Sequence, residues 1–126
     1  MYEFSSDIVI SSATIEHVGS ALNQKKMIEN IIKLTKKVFV ITTPNRFYPI
    51  ELHTKIPLIH WLPKSIYRKI LKFLGLSFHA KEENLNLLSV NELKKMLDDQ
   101  KIIYEVKFIK LLFFKSNIII VGKKID

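Results

Sequence analysis

The chain has 126 residues, 48% of them hydrophobic and 25% charged, and its twenty Lys and Arg against twelve Asp and Glu give a net charge of +8. That size and balance suit one folded domain and exclude a disordered chain. Only three glycines occur (Gly19, Gly75 and Gly122, none near another) and no cysteine, which excludes glycine-rich nucleotide loops, disulfides, thiolate metal sites and a cysteine nucleophile.

Asp7–Ser11 is a short, β-branched apolar run, the pattern of a strand buried on both faces. Gly19-Ser20 interrupts it, with Ser20 placed as an N-cap. Met27, Ile28, Ile31, Ile32 and Thr35 then recur at helical spacing, which predicts an amphipathic helix from Ala21 to Lys36. Val38–Thr42 reads as a second buried strand, closed by Pro44. Strand, helix and strand at this spacing form a βαβ unit with parallel strands. From Asn45 to Asn86 the character changes: three of the four prolines (Pro49, Pro57 and Pro63) fall here, and no element between them can be long. This stretch reads as a lid or insertion within a single domain spanning residues 1–126. It is built on a short basic helix after Pro63 that Gly75 terminates. Ser89 and Glu92 form a capping box, with Leu88 and Leu93 as its hydrophobic staple. Ile102, Tyr104, Val106 and Phe108 alternate with Ile103, Glu105, Lys107 and Ile109, a strand with one wetter face. Asn117–Val121 is a last apolar strand, joined by a short connection and so antiparallel to the one before it.

The fold class is therefore α/β: a parallel βαβ unit, a helical lid and a C-terminal antiparallel pair. In that order, and in its local wording, the chain resembles the C-terminal half of a class I S-adenosylmethionine-dependent methyltransferase of the type 11-like group, with a partial Rossmann-like fold. Asp7-Ile-Val-Ile-Ser-Ser-Ala-Thr-Ile-Glu-His-Val18 is similar to that family's fourth strand and following loop. Thr42–Arg46 is similar to the end of its fifth strand. Phe47-Tyr-Pro-Ile-Glu51 with His53, and His60-Trp-Leu-Pro63, are similar to the substrate lid of one branch. The family's glycine-rich loop and its acidic ribose-binding residue belong to an N-terminal half with no counterpart here. The resemblance implies S-adenosylmethionine as cofactor, of whose site only the methionine end is represented. It also implies methyl transfer to a small or lipid-linked acceptor, by a chain incomplete on its own.

Ligands of such sheets gather at the carboxyl ends of parallel strands. By resemblance Ser11, Ser12 and Ala13 face the cofactor, and Glu16, Asn45, Arg46, His53 and Trp61 face the acceptor. His17 is the candidate base, its pKa being near neutrality. The alternative is a structural Glu16-His17 pair that fastens the loop. Arg46 either fixes an anionic group or is an ordinary surface arginine. Glu51 and His53 have metal-ligand character, but zinc and iron sites need three ligands on rigid elements, so no metal is expected. Trp61 also suits a place in the lid's own core.

From Leu52 to Ala80 there are five basic residues and no acidic one. This block is either an anion-facing surface or a plain lysine-rich one. The lid helix either contacts a membrane surface or packs its apolar face on the sheet. Charge alone does not support a nucleic-acid partner. Met1–Ser6 lacks a leader pattern and no run is long enough to span a membrane, so a cytoplasmic, at most membrane-peripheral, location is expected. Without strands beside it, Asp7–Ser11 becomes an open sheet edge. A homodimer or a separate N-terminal half is expected to seal it. A non-catalytic binding module that pairs through that edge is the alternative function.

Overall fold

The computed structural model describes residues 4–51 and 53–125. Met1–Glu3, the start of the segment read for a leader, lie outside the described residues, as do Leu52 and Asp126. Four strands form one mixed sheet: β1 (Ser6–Ser12), β2 (Thr35–Pro44), β3 (Ile102–Leu111) and β4 (Phe114–Lys124). Their order is β1-β2-β4-β3. The β1–β2 pair is parallel, and β4 lies antiparallel to both β2 and β3. The last strand thus inserts between the βαβ unit and its own hairpin partner. This is a mixed α/β architecture with one parallel pair.

Helix α1 (Ala21–Leu34) starts where the sequence placed it, because the Ser20 hydroxyl accepts the Asn23 N–H at 3.2 Å. It ends two residues earlier than its apolar period suggests. Thr35 turns extended, its hydroxyl bonds back to the Ile31 carbonyl, and the chain enters β2 with no loop between. Helix α2 (Lys64–Phe73) closes in a Schellman motif: Leu76 N–H bonds Leu71 C=O, Gly75 N–H bonds Lys72 C=O, and Gly75 takes a positive φ of 78°. A single turn, α3 (Ser77–Ala80), follows. Both hydrogen bonds of the Ser89–Glu92 capping box form at the start of α4 (Val90–Asp98), and Leu88 and Leu93 are fully buried beside it.

The core lies on one face of the sheet. Ile28, Ile31 and Ile32 of α1 and Leu93 and Leu97 of α4 cover Phe39, Ile41, Ile118 and Ile120. Among the described residues the opposite face is open. Strand register puts Ile8 and Ile10 of β1, Val38 and Val40 of β2, Ile119 and Val121 of β4 and Ile103 and Ile109 of β3 together on it. Ile8 is 58% exposed and Ile10 67% exposed. The expectation that Asp7–Ser11 is buried on both faces is therefore corrected. Its apolar run fits a two-layer cover, but among the described residues one layer is present. The lid helix is corrected as well. Tyr67 and Leu71 of α2 pack with Ala80, Ile56, Ile59 and Leu76 in a small cluster of the lid's own, not on the sheet.

The basic block is partly neutralised from outside itself. Lys64 lies 3.6 Å from Glu92, and Arg68 lies 4.0 Å from Glu82. Lys55, Lys69 and Lys72 have no ion pair among the described residues. No described helix is long and apolar enough to cross a membrane.

Gly122 shows how tightly the covered face is packed. It stands opposite Phe39 in the ladder, and a Cβ there would lie 2.4 Å from the tip of the Phe39 ring, which is itself fully buried. The glycine is a seat for the ring, so Gly122→Ala must displace a core aromatic. Such overpacking costs about 1–3 kcal/mol. Thermal unfolding of Gly122→Ala should show a midpoint several degrees lower, and an unchanged midpoint would contradict this packing.

Candidate functional site

Where β1 ends, Ala13 N–H bonds the Thr42 carbonyl of β2 at 2.9 Å, and Ala13 adopts a left-handed φ of 49°. The turn drops the chain into a short 3-10 helix, Ile15–His17, and splits its side chains between inside and outside. Ile15 and Glu16 are fully buried, and His17 points outward. One Glu16 oxygen, Oε2, accepts the hydroxyl of Thr43 near the carboxyl end of β2 at 2.9 Å. The other, Oε1, is buried with no hydrogen-bond partner.

The chain returning from the lid docks onto this turn through buried amides. Gln24, fully buried in α1, donates to the Asn86 carbonyl at 2.9 Å and to the Ile15 carbonyl at 3.3 Å. Asn86 N–H bonds the Glu16 carbonyl at 2.7 Å, and the Asn86 side chain donates to the Gly19 carbonyl. These bonds also carry Asn84 into place, and its carbonyl accepts Nδ1–H of His17 at 2.7 Å.

The lid delivers the third component. Glu51, 3% exposed, folds its carboxylate back over its own turn and accepts the backbone N–H groups of His53 and Thr54 at 2.9 and 2.6 Å. The same carboxylate accepts Nδ1–H of His53 at 2.7 Å. Burial alone would raise the Glu51 pKa, but the His53 ring and the two N–H groups outweigh it and hold the carboxyl at about 2. The hydrogen bond to Glu51 raises the pKa of His53 against the opposing effect of burial. The far nitrogen of His53, Nε2, lies 3.2 Å from Nε2 of His17. The rings meet edge to face with centroids 4.9 Å apart, and the His79 ring is 6.3 Å from that of His53. His17, Glu16 and His53, singled out separately in the sequence, are thus brought together, and Glu51 stands behind His53.

The other residues singled out lie apart from this cluster. Ser11 points into the covered core, and its hydroxyl is buried without a partner, so its side chain does not face the opening. Ser12 and Ala13 are exposed at the strand end, and the Ser12 hydroxyl accepts that of Thr42 at 3.1 Å. Asn45 ties β2 to β4 by donating to the Lys115 carbonyl and turns the chain by accepting Phe47 N–H. Arg46 is no ordinary surface arginine: its guanidinium donates to the carbonyls of His60 and Leu62 and lies 3.9 Å from Glu92, clamping lid to body. Trp61 is 44% exposed and sits edge-on to the buried His60. His60 donates to the Tyr48 carbonyl, and burial pushes its pKa down. Thr43 is placed by the sequence only within the Thr42–Arg46 strand end, with no role, and the Asn84 carbonyl is not visible there at all. A threonine closing a strand and a backbone oxygen carry no distinguishing residue pattern.

No family model and no curated protein sequence matches the chain. Solved structures do match it in fold. Magnesium protoporphyrin IX methyltransferase (ChlM) from Synechocystis PCC 6803, with bound SAH, superposes with a TM-score of 0.55 at 15% identity, over 98% of this chain and 47% of that one. An O-methyltransferase family protein from Burkholderia thailandensis gives 0.59 at 12% identity, over 98% and 31%. A SAM-dependent methyltransferase from Methanosarcina mazei gives 0.56 at 14% identity, over 98% and 61%. The chain thus spans about half the length, or less, of the first two and somewhat more of the third.

The Glu51–His53 pair makes stability depend on pH. Glu51 is depressed from 4.5 to about 2, so its contribution is present above pH 4.5 and lost as pH falls towards 2. His53 is raised above 6.5, so its contribution is full below pH 6.5 and lost as pH rises through the higher folded value. The difference in melting temperature between wild type and Glu51→Gln should therefore be largest between pH 4.5 and 6.5 and shrink on either side. A difference independent of pH would contradict the pairing. In fold, though in no closer sense, this chain is like part of a methyltransferase.

Proposed function

We propose that the chain forms the acceptor-side half of an S-adenosylmethionine-dependent methyltransferase, acting on a small or lipid-linked acceptor. The observation that carries the reading is the His17–His53–Glu51 series beside the carboxyl ends of two parallel strands. Sheets of this kind gather their ligands there. The fold likeness to methyltransferases, one of them with SAH bound, supports it.

The residues present fit one end of the cofactor. Ser12 and Ala13 are small and exposed at the left-handed turn that ends β1. When bound, S-adenosylmethionine supplies an electrophilic methyl group on a sulfonium. The protein's part is to hold the acceptor in line and to take its proton. Nδ1 of His17 is committed to the Asn84 carbonyl and Nδ1 of His53 to Glu51, which leaves both Nε2 atoms free to receive that proton. Glu51 stabilises the charge then formed on His53. Arg46 braces the lid internally through the His60 and Leu62 carbonyls and reaches Glu92 of the body at 3.9 Å.

Among the described residues one sheet face is bare and the β1 edge unpaired, which favours a second component that supplies strands beside Ile8 and Ile10. A second reading starts from the same observation: a non-catalytic module that assembles through this edge, as a homodimer or a hetero-complex.

Calorimetric titration distinguishes the two. This chain alone should bind S-adenosylmethionine no tighter than about millimolar, because one end of the site contributes a fraction of the binding energy. Co-expressed with a polypeptide encoded upstream that covers β1, it should bind the cofactor and transfer methyl groups. His17→Asn should then lower kcat by about 10²–10⁴, the usual worth of a general base. Low-micromolar binding by this chain alone would contradict the half-site reading. Edge-to-edge association without cofactor binding in any assembly would favour the second.

A further inference from the structure

Three acceptor atoms converge at the His17–His53 contact, and among the described residues no donor faces them. A carbonyl only accepts, so the 2.7 Å contact to Asn84 requires the His17 hydrogen on Nδ1. The Glu51 carboxylate only accepts when ionised, so the 2.7 Å contact to it requires the His53 hydrogen on Nδ1. A neutral imidazole carries one N–H. Both Nε2 atoms therefore present lone pairs, and they face each other at 3.2 Å. The third atom is Oε1 of Glu16, 3.8 Å from Nε2 of His17 and buried without a partner on a fully buried residue. The three ligand atoms lie within 4.8 Å of one another. Facing lone pairs repel, and an orphaned buried carboxylate oxygen is costly, so the arrangement calls for a cation between them. A proton can join one pair. An ion with coordination bonds of about 2.0–2.2 Å can join all three.

We propose that Glu16 Oε1, His17 Nε2 and His53 Nε2 bind a divalent transition-metal ion of the zinc and ferrous-iron class. Two imidazoles disfavour magnesium and calcium, which take oxygen ligands. Two histidines and one carboxylate leave coordination positions open, the pattern of catalytic rather than structural metals. The outer partners are those expected of ligating histidines: a carboxylate on Nδ1 of His53 and a backbone carbonyl on Nδ1 of His17. Thr43 orients the Glu16 carboxylate through its other oxygen. Two of the ligands come from the turn after β1 and the third from the lid, so a bound ion would also pin the lid to the sheet.

A bound ion would occupy both Nε2 atoms, so metal binding and proton acceptance are alternative uses of the same lone pairs, and the site is tested without cofactor. The chain, stripped by chelator and dialysed, is titrated with Co²⁺ and Zn²⁺ and, separately, with Mg²⁺. One equivalent of Co²⁺ should bind with micromolar or tighter Kd and develop visible d–d absorption, and Zn²⁺ should displace it. Mg²⁺ should leave the spectrum unchanged. His53→Asn and Glu16→Gln should each abolish the tight equivalent. Glu51→Gln, which touches no metal, should weaken binding by about 10–100-fold. Circular dichroism reports whether each variant keeps its fold. Absence of binding tighter than millimolar to the folded wild-type chain would overturn the proposal. So would tight binding that survives in folded His53→Asn. Either result leaves the base reading of His17 standing, whereas methyl transfer that persists after complete chelation would remove the metal from the reaction alone.

Discussion

The Glu51 carboxylate settles the chemistry of His53, and through it the character of the whole opening. Buried and fastened to two backbone N–H groups, it accepts a hydrogen bond and has none to give, so His53 must offer its Nδ1 hydrogen and turn Nε2 outward. The Asn84 carbonyl imposes the same choice on His17. Two side chains that could each donate or accept in isolation are thereby reduced to a pair of facing lone pairs above a buried carboxylate. Any ligand that satisfies them carries a positive charge, a proton to give or a vacant orbital.

The rest of the molecule serves to hold these parts in register. Parallel pairing of β1 and β2 places Glu16 next to Thr43, although the two are 27 residues apart in the chain. Gln24 and Asn86 stitch the lid's return to the 3-10 turn with buried amide bonds. Directional amide bonds of this kind specify one arrangement where an apolar contact would allow several. Arg46 braces the lid internally and reaches Glu92 of the body. Among the described residues the sheet beneath is covered on one face only, and β1 is paired on one side only.

Local order in the chain was legible because it rests on short-range chemistry. The Ser20 cap, the Ser89–Glu92 box, the Gly75 terminus and the alternation from Ile102 to Ile109 all express interactions within a few residues. Burial was less legible. The Asp7–Ser11 run signals a strand that suits cover on both sides, and sequence alone does not say whether the second layer is there. The same limit explains the lid, whose helix is amphipathic but satisfies its apolar face with Ile56, Ile59 and Ala80 instead of the sheet. Of the site, His17 and His53 were each visible as reactive side chains, and Glu51 beside His53. Their meeting was not, since it joins two rings 36 residues apart in the chain and depends on a carbonyl from Asn84.

The tautomers of the two histidines decide the account. Long-range ¹H–¹⁵N correlation of the imidazole rings in metal-free protein, followed into the alkaline range, reads them directly. His17 and His53 should both be Nδ1–H tautomers, with Nε2 resonating as an unprotonated nitrogen. An Nε2–H tautomer at either ring would supply a donor between them and contradict the convergence of acceptors on which the site rests.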